Sequence, residues 1–190
     1  LLELSKQALE AEVEIEFAVD AGGSLGQPAR FGFLQARPMM VAGEEVEVAA
    51  EELRGPEVVL ASEQVLGNGI RGGIRDIVFL DPEAFDAART REMAGEIDRI
   101  NRGLLAAGTP YVLIGFGRWG SSDPWLGIPV TWGQVSGARV IAEAELPGRP
   151  VEMSQGAHLF HNLLSFEVAY LSVTAAGRDR IDWEALEALE

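Results

Sequence analysis

The clearest pattern lies near the start of the chain. Val13, Ile15, Phe17 and Val19 alternate with Glu12, Glu14, Glu16 and Asp20. That period of two predicts a strand over 12–20 with one buried face and one acidic face. Residues 1–11 before it have helical composition. Residues 21–29 form a glycine-rich connection, and 30–38 read as a second strand that Pro38 ends or places at an edge. Two strands joined this way predict an antiparallel hairpin. In the register that sets Glu16 opposite Gln35, Glu14 faces Arg37, and all four side chains share one face.

Residues 41–54 are acidic and read as a strand or linker leading to a short helical turn, with the domain boundary here. Residues 56–61 and 76–80 read as strands, separated by the glycine-rich loop Gly67–Gly73 that carries Arg71. Asp81-Pro82 has the form of a helix start. A long helix, broken near Arg89-Thr90, is predicted to about Leu105. Met93, Ile97, Ile100 and Leu104 make its apolar stripe. Gly108 and Pro110 stop it. Tyr111–Ile114 then reads as a buried strand, 130–132 as a short extended piece and 138–144 as a strand. After a loop at 146–150, Ser154 caps a helix predicted over 154–166. A strand follows at 167–173, and a short helix at 182–190 with Asp182 as cap.

The Tyr111 strand runs into Gly115, Gly117 and Gly120, with Arg118, Trp119, Ser121, Ser122 and Asp123 among them. Glycine permits tight turns and close approach to backbone N–H groups. An arginine, two hydroxyls and a carboxylate there suit an anion or metal-phosphate site. The spacing is neither the Walker pattern nor the dinucleotide fingerprint. The other reading is a structural turn, with Trp119 and Trp125 as core plugs. The hairpin poses a similar choice. Glu14 with Arg37 is either a surface ion pair of small value or part of a metal-nucleotide site. In that site a carboxylate holds Mg²⁺ and Arg and Gln hold phosphate oxygens. The two histidines, His158 and His161, share a helical face. His158 follows the polar turn Ser154-Gln155-Gly156 and suits acid–base or phosphoryl chemistry. One alternative is a metal held by both histidines, with Glu167 the nearest third ligand in sequence. The other is a structural role in which one histidine caps or packs the helix and the other is exposed, the reading taken for His161.

Composition narrows the classes. The chain of 190 residues is 47% hydrophobic and can bury a core. A formal net charge of −15 argues against nucleic-acid backbones and anionic membranes as partners. There is no cysteine, no apolar run of membrane-spanning length and no signal-peptide pattern. These fit a cytoplasmic protein. The opening Leu-Leu-Glu is read as the start of a piece cut from a longer protein.

Two stretches carry a family resemblance. Val13-Glu14-Ile15-Glu16-Phe17-Ala18-Val19-Asp20, followed by Phe33-Leu34-Gln35-Ala36-Arg37-Pro38, resembles the end of the ATP-grasp nucleotide-binding domain of phosphoenolpyruvate synthase and pyruvate phosphate dikinase. The resemblance implies that Glu16 binds Mg²⁺ on the ATP phosphates, with Glu14 as a weaker second carboxylate. It implies that Gln35 and Arg37 contact the terminal phosphates. It covers about the first forty residues, and the glycine-rich lid and lysine of that pocket are absent. The dikinase phosphohistidine segment, Thr-x-Gly-Gly-x-x-Ser-His, is absent too. Asp76-Ile77-Val78, the run from Gly115 to Trp125, and Ser154-Gln155-Gly156-Ala157-His158 look like a C-terminal module of proteins related to phosphoenolpyruvate synthase. There Phe116 stands where that pattern has proline. His158 matches the pattern and His161 does not.

The expected fold is therefore α+β. It has a mixed or antiparallel sheet with one long and several short helices, preceded by a helix and hairpin of ATP-grasp type. The expected division is 1–42 as the ATP-grasp tail and 55–190 as the C-terminal module. The parent protein is expected to be an ATP-dependent, kinase- or dikinase-like phosphotransferase using Mg·ATP. A second pocket would be built from Arg118, Asp123, His158, Ser121 and Ser122, with Arg71 and Arg75 as further anion contacts. Its occupant would be a small phosphorylated or carboxylate substrate. The alternative is a non-catalytic binding or regulatory module attached to the ATP-grasp part. The 190-residue piece alone is expected to be inactive.

Overall fold

A computed structural model describes residues 1–20, 28–38, 46–145, 163, 166–175 and 177–189. It divides the chain into two units, Leu1–Val41 and Ala42–Glu190.

In the first unit the alternating segment forms β1 (Val13–Asp20), which pairs antiparallel with β2 (Arg30–Pro38). Glu16 is opposite Gln35 and Glu14 opposite Arg37, the register that the sequence pattern predicts. The pairing then shifts: Phe17 faces Phe33, and Leu34 is the extra residue of a β-bulge. This shift keeps the faces chemically uniform. Phe31 and Phe33 join Phe17 and Val19 on one side, and Gln35 and Arg37 join Glu14 and Glu16 on the other. Phe17 and Phe31 stack with ring centroids 5.1 Å apart. Helix α1 (Leu2–Leu9) packs against both strands.

The second unit is built on a five-stranded mixed sheet. In spatial order its strands are β4 (Gln64–Leu66), β10 (Ala169–Val173), β9 (Ala138–Ala144), β6 (Tyr111–Phe116) and β5 (Asp76–Phe79). β5, β6, β9 and β10 run parallel, and β4 pairs antiparallel at one edge. The α+β expectation holds in its mixed-sheet form. Parallel pairing dominates because α2 (Thr90–Ala107) forms a crossover from β5 to β6.

Each sheet face carries its own core. One face sets Tyr111, Leu113 and Ile141 against Ala94 and Ile97 of α2. The other sets Ile114 and Ala142 against Leu186 of α3 (Trp183–Glu187). Asp182 caps α3 as expected, its carboxylate accepting the Ala185 N–H at 3.0 Å. Phe116 is buried on this second side between Phe85 and Trp183.

Several boundaries differ from expectation. Asp81 does not start the long helix. Its carboxylate accepts the Glu83 N–H and closes a local turn. A short 3-10 turn, Ala87–Arg89, capped by the Asp86 carboxylate, leads into α2 instead. The strand expected at 56–61 shortens to β3 (Leu60–Ala61), paired with β11 (Arg180–Ile181), which the sequence does not announce. The extended piece expected at 130–132 gives way to a 3-10 turn, Trp132–Gln134, with a capping box from Thr131 and Gln134. Of the helix expected over 154–166, all but Leu163 and Phe166 lies outside the described residues. Leu163 is helical and Phe166 lies in a turn.

The buried stripe of α2 is also rotated from expectation. Thr90, Ala94, Ile97 and Asn101 are buried, while Ile100 is 39% exposed. Asn101 replaces Ile100 in the core because its amide is bonded through both its oxygen and its nitrogen. Its Oδ1 accepts the Tyr111 hydroxyl at 3.0 Å and the Gly137 N–H at 2.9 Å, and its Nδ2 donates to the Gly133 carbonyl at 3.1 Å. Burying a polar group without such partners is costly.

Burial raises the ionisation of the Tyr111 hydroxyl well above the ordinary tyrosine range. The unfolded chain ionises there near pH ~10 while the folded chain keeps its proton. The contribution is therefore complete below that pH and is lost as pH rises above it. Stability should fall by up to about 1.4 kcal/mol per pH unit from this group. Urea unfolding between pH 9 and 11.5 should show a shallower fall for Tyr111→Phe than for the parent. Parallel slopes would exclude Tyr111 as the cause.

Candidate functional site

In the first unit the strand pairing brings the predicted nucleotide residues together. The Arg37 Nε donates to a carboxylate oxygen of Glu14, an ion pair in which both side chains are about a third exposed. Glu16 and Gln35 stand beside this pair on the same face and are exposed. An exposed pair of this kind stabilises a fold by about 0–1 kcal/mol. Its chemical use is to hold a guanidinium in one orientation next to a second carboxylate. Magnesium is held by one or two carboxylates when phosphate oxygens and water complete its shell. Guanidinium and amide donors suit phosphate oxygens. The four side chains thus fit the phosphate end of a Mg²⁺–nucleotide.

The second unit places the glycine turn at the carboxyl-terminal end of β6. That is the end of a parallel sheet where ligands usually bind. After Gly117 the chain folds back over the α2 face as β7 (Arg118–Trp119), which pairs parallel with β8 (Gly127–Ile128). Gly117 has φ 69° and donates its N–H to the Ala144 carbonyl at 3.0 Å. The Trp119 ring lies on Gly115 so closely that a Cβ there would come within 2.3 Å of it. The Trp119 indole N–H donates to the Ala142 carbonyl at 3.0 Å, and its backbone N–H donates to the Glu143 carboxylate at 2.9 Å. Trp119 is a buried plug. Trp125 is 66% exposed, so its expected role as a plug is not what the structure shows.

Ser121 and Asp123 serve the turn itself. The Ser121 hydroxyl donates to the Asp123 carbonyl at 3.1 Å and accepts the Asp123 N–H at 3.2 Å. The Asp123 carboxylate accepts the Trp125 N–H at 3.0 Å. Ser122 is exposed and Arg118 is half-buried beside the turn. His158 and His161 lie outside the described residues. Among the described residues no group of three or more His, Asp or Glu side chains is arranged to hold a metal ion.

Arg71 and Arg75 do not extend this region. Gly67 packs on Ala169, the first residue of β10, and Arg75 precedes β5. Their loop therefore lies at the amino-terminal edge of the parallel strands, opposite the end that Arg118 follows.

Glu143 is the residue the sequence reading passed over. It lies on β9 between Gly115 of β6 and Ser172 of β10, and it is fully buried. The available signal was a lone carboxylate in the run Ala138–Ala144, otherwise mostly small and apolar. Buried carboxylates are rare unless paired.

Comparison with family models, with curated proteins and with solved structures returns no match. Among the described residues no helix is long and apolar enough to cross a membrane.

Replacing Glu143 by Leu removes the acceptor of a buried N–H, whereas Gln retains one. Glu143→Leu should lose about 1–3 kcal/mol more stability than Glu143→Gln, measured by chemical unfolding. Equal losses would show that the Trp119 N–H is satisfied without this side chain.

Proposed function

We propose that this chain is part of an ATP-dependent phosphotransferase related to phosphoenolpyruvate synthase, with the hairpin serving the Mg·ATP site. The observation that carries this reading is the strand register, which sets Glu14, Glu16, Gln35 and Arg37 on one face. Glu16, with Glu14 as a second oxygen donor, would hold Mg²⁺ on the phosphates. Gln35 and Arg37 would orient the terminal phosphoryl group. Phosphoryl transfer needs mainly such positioning and electrostatic stabilisation. In this reading the rest of the nucleotide pocket comes from the longer protein, and 1–42 contributes only the phosphate end. The region after β6, with Arg118 at the carboxyl-terminal end of the sheet and His158 beyond β9, would receive a small phosphorylated or carboxylate acceptor.

A second reading is a non-catalytic binding module that regulates the ATP-grasp part. The hydrogen bonds of Ser121 and Asp123 favour it, since both side chains are used within their own turn. The two readings separate with isotope-labelled ATP and the full-length protein. Glu16→Gln and Arg37→Ala should each reduce kcat/KM for Mg·ATP by about 10²-fold or more, as expected for lost charge stabilisation. Arg118→Ala and His158→Ala should reduce phosphoryl transfer comparably if the second unit holds the acceptor. Turnover intact in both of these variants, but lost in Glu16→Gln, would leave the second unit as a regulatory module. Turnover intact in Glu16→Gln and Arg37→Ala would end the nucleotide proposal.

A further inference from the structure

The α3 face of the sheet carries a cavity of about 420 Å³. That volume is in the range of small-molecule sites. Its floor is apolar, with Ile77, Val112, Val140 and Leu171 contributed by β5, β6, β9 and β10, and Leu186 of α3 also lines it. The Gly67–Gly73 loop lines it with Asn68 and Arg71. The Asn68 Oδ1 accepts the N–H groups of Val46 and Gly69, at 3.0 and 2.6 Å. The NH₂ of that amide is left without a partner among the described residues. Arg71 is half-buried, and among the described residues it makes no hydrogen bond or ion pair. Among the described residues no Asp or Glu lines the cavity, although the chain as a whole carries a formal charge of −15.

The polar part of this described lining thus offers donors and one positive charge, with no described acid among them. A half-buried guanidinium with no partner among the described residues has all its donors left for an anion. A guanidinium is a planar fork that matches a carboxylate through two parallel hydrogen bonds. We propose that the cavity binds a small amphipathic carboxylate. Its aliphatic body lies on the apolar floor, and its carboxylate meets Arg71 and the Asn68 NH₂. This site is built from residues of the second unit alone and lies at the opposite end of the parallel strands from Arg118, so it does not depend on the nucleotide reading.

The test is titration of the 190-residue chain with octanoate and with octan-1-ol, followed by methyl NMR and calorimetry. Octanoate should bind saturably and at least about tenfold more tightly than octan-1-ol, the gain expected of a charge-assisted hydrogen bond. Methyl signals of Ile77, Val112 and Leu171 should move on binding. Arg71→Gln should remove the preference for the acid and leave the thermal unfolding midpoint unchanged. Equal affinity for acid and alcohol, a preference that survives Arg71→Gln, or shifts confined to methyl groups elsewhere would each overturn the proposal. So would an absence of saturable octanoate binding.

Discussion

The second unit depends on the contact between Trp119 and Gly115. A parallel strand that ends at the sheet edge would ordinarily lead its chain away from the core. Here the chain reverses at Gly117, and the Trp119 indole packs closely against the strand it has just left. Only a residue without Cβ leaves room for that ring at 115. The indole N–H and the backbone N–H of Trp119 are both spent on β9, on the Ala142 carbonyl and the Glu143 carboxylate. One side chain thereby ties β6 to β9 and anchors the short β7–β8 pair. The pair is itself close-packed, since a Cβ at Gly127 would lie 2.0 Å from the Arg118 carbonyl oxygen. Arg118 is brought next to the sheet end by this reversal.

The buried carboxylate gives this anchor its polar character. Glu143 is enclosed on the face where Tyr111, Leu113 and Ile141 build the α2 core. The backbone of the folded-back segment supplies a donor to this carboxylate. The same logic governs Asn101, whose amide joins α2, Tyr111 and the turn at Gly133–Gly137. Both polar groups sit where two elements meet and each fixes how they meet, a role that apolar packing alone specifies less sharply.

The hairpin shows a different constraint. A strand alternates its faces, so one extra residue exchanges them. In β2 the apolar positions change parity, from Phe31 and Phe33 to Ala36 and Pro38. The bulge at Leu34 absorbs that change. Without it the phenylalanines would share a face with Gln35 and Arg37, and the four polar side chains would stand among aromatic rings. The Mg²⁺–phosphate chemistry proposed for Glu14, Glu16, Gln35 and Arg37 therefore rests on one irregular residue.

Much of this was legible in the chain itself. Period-two alternation located β1 and, with the polar pairing, the register at Glu14 and Glu16. The short apolar run and the glycines after it located β6 and its turn, and Asp182 marked the start of α3. Those features are local: they depend on strand period, turn chemistry and capping, which act over a few residues. Other features required distant segments to meet. Asn101 displaces Ile100 from the core because its partners lie at 111, 133 and 137. β3 and β11 are two residues each and exist only by pairing across the length of the second unit. The sequence placed Arg71 and Arg118 in two similar glycine-rich loops, and it could not tell that the parallel sheet sends them to opposite ends. It set Trp119 and Trp125 in one turn as equals, and only packing decided that one is buried on Gly115 and the other is exposed. Local periodicity determined the elements. Long-range contact determined which polar side chains are buried as anchors and which stay accessible.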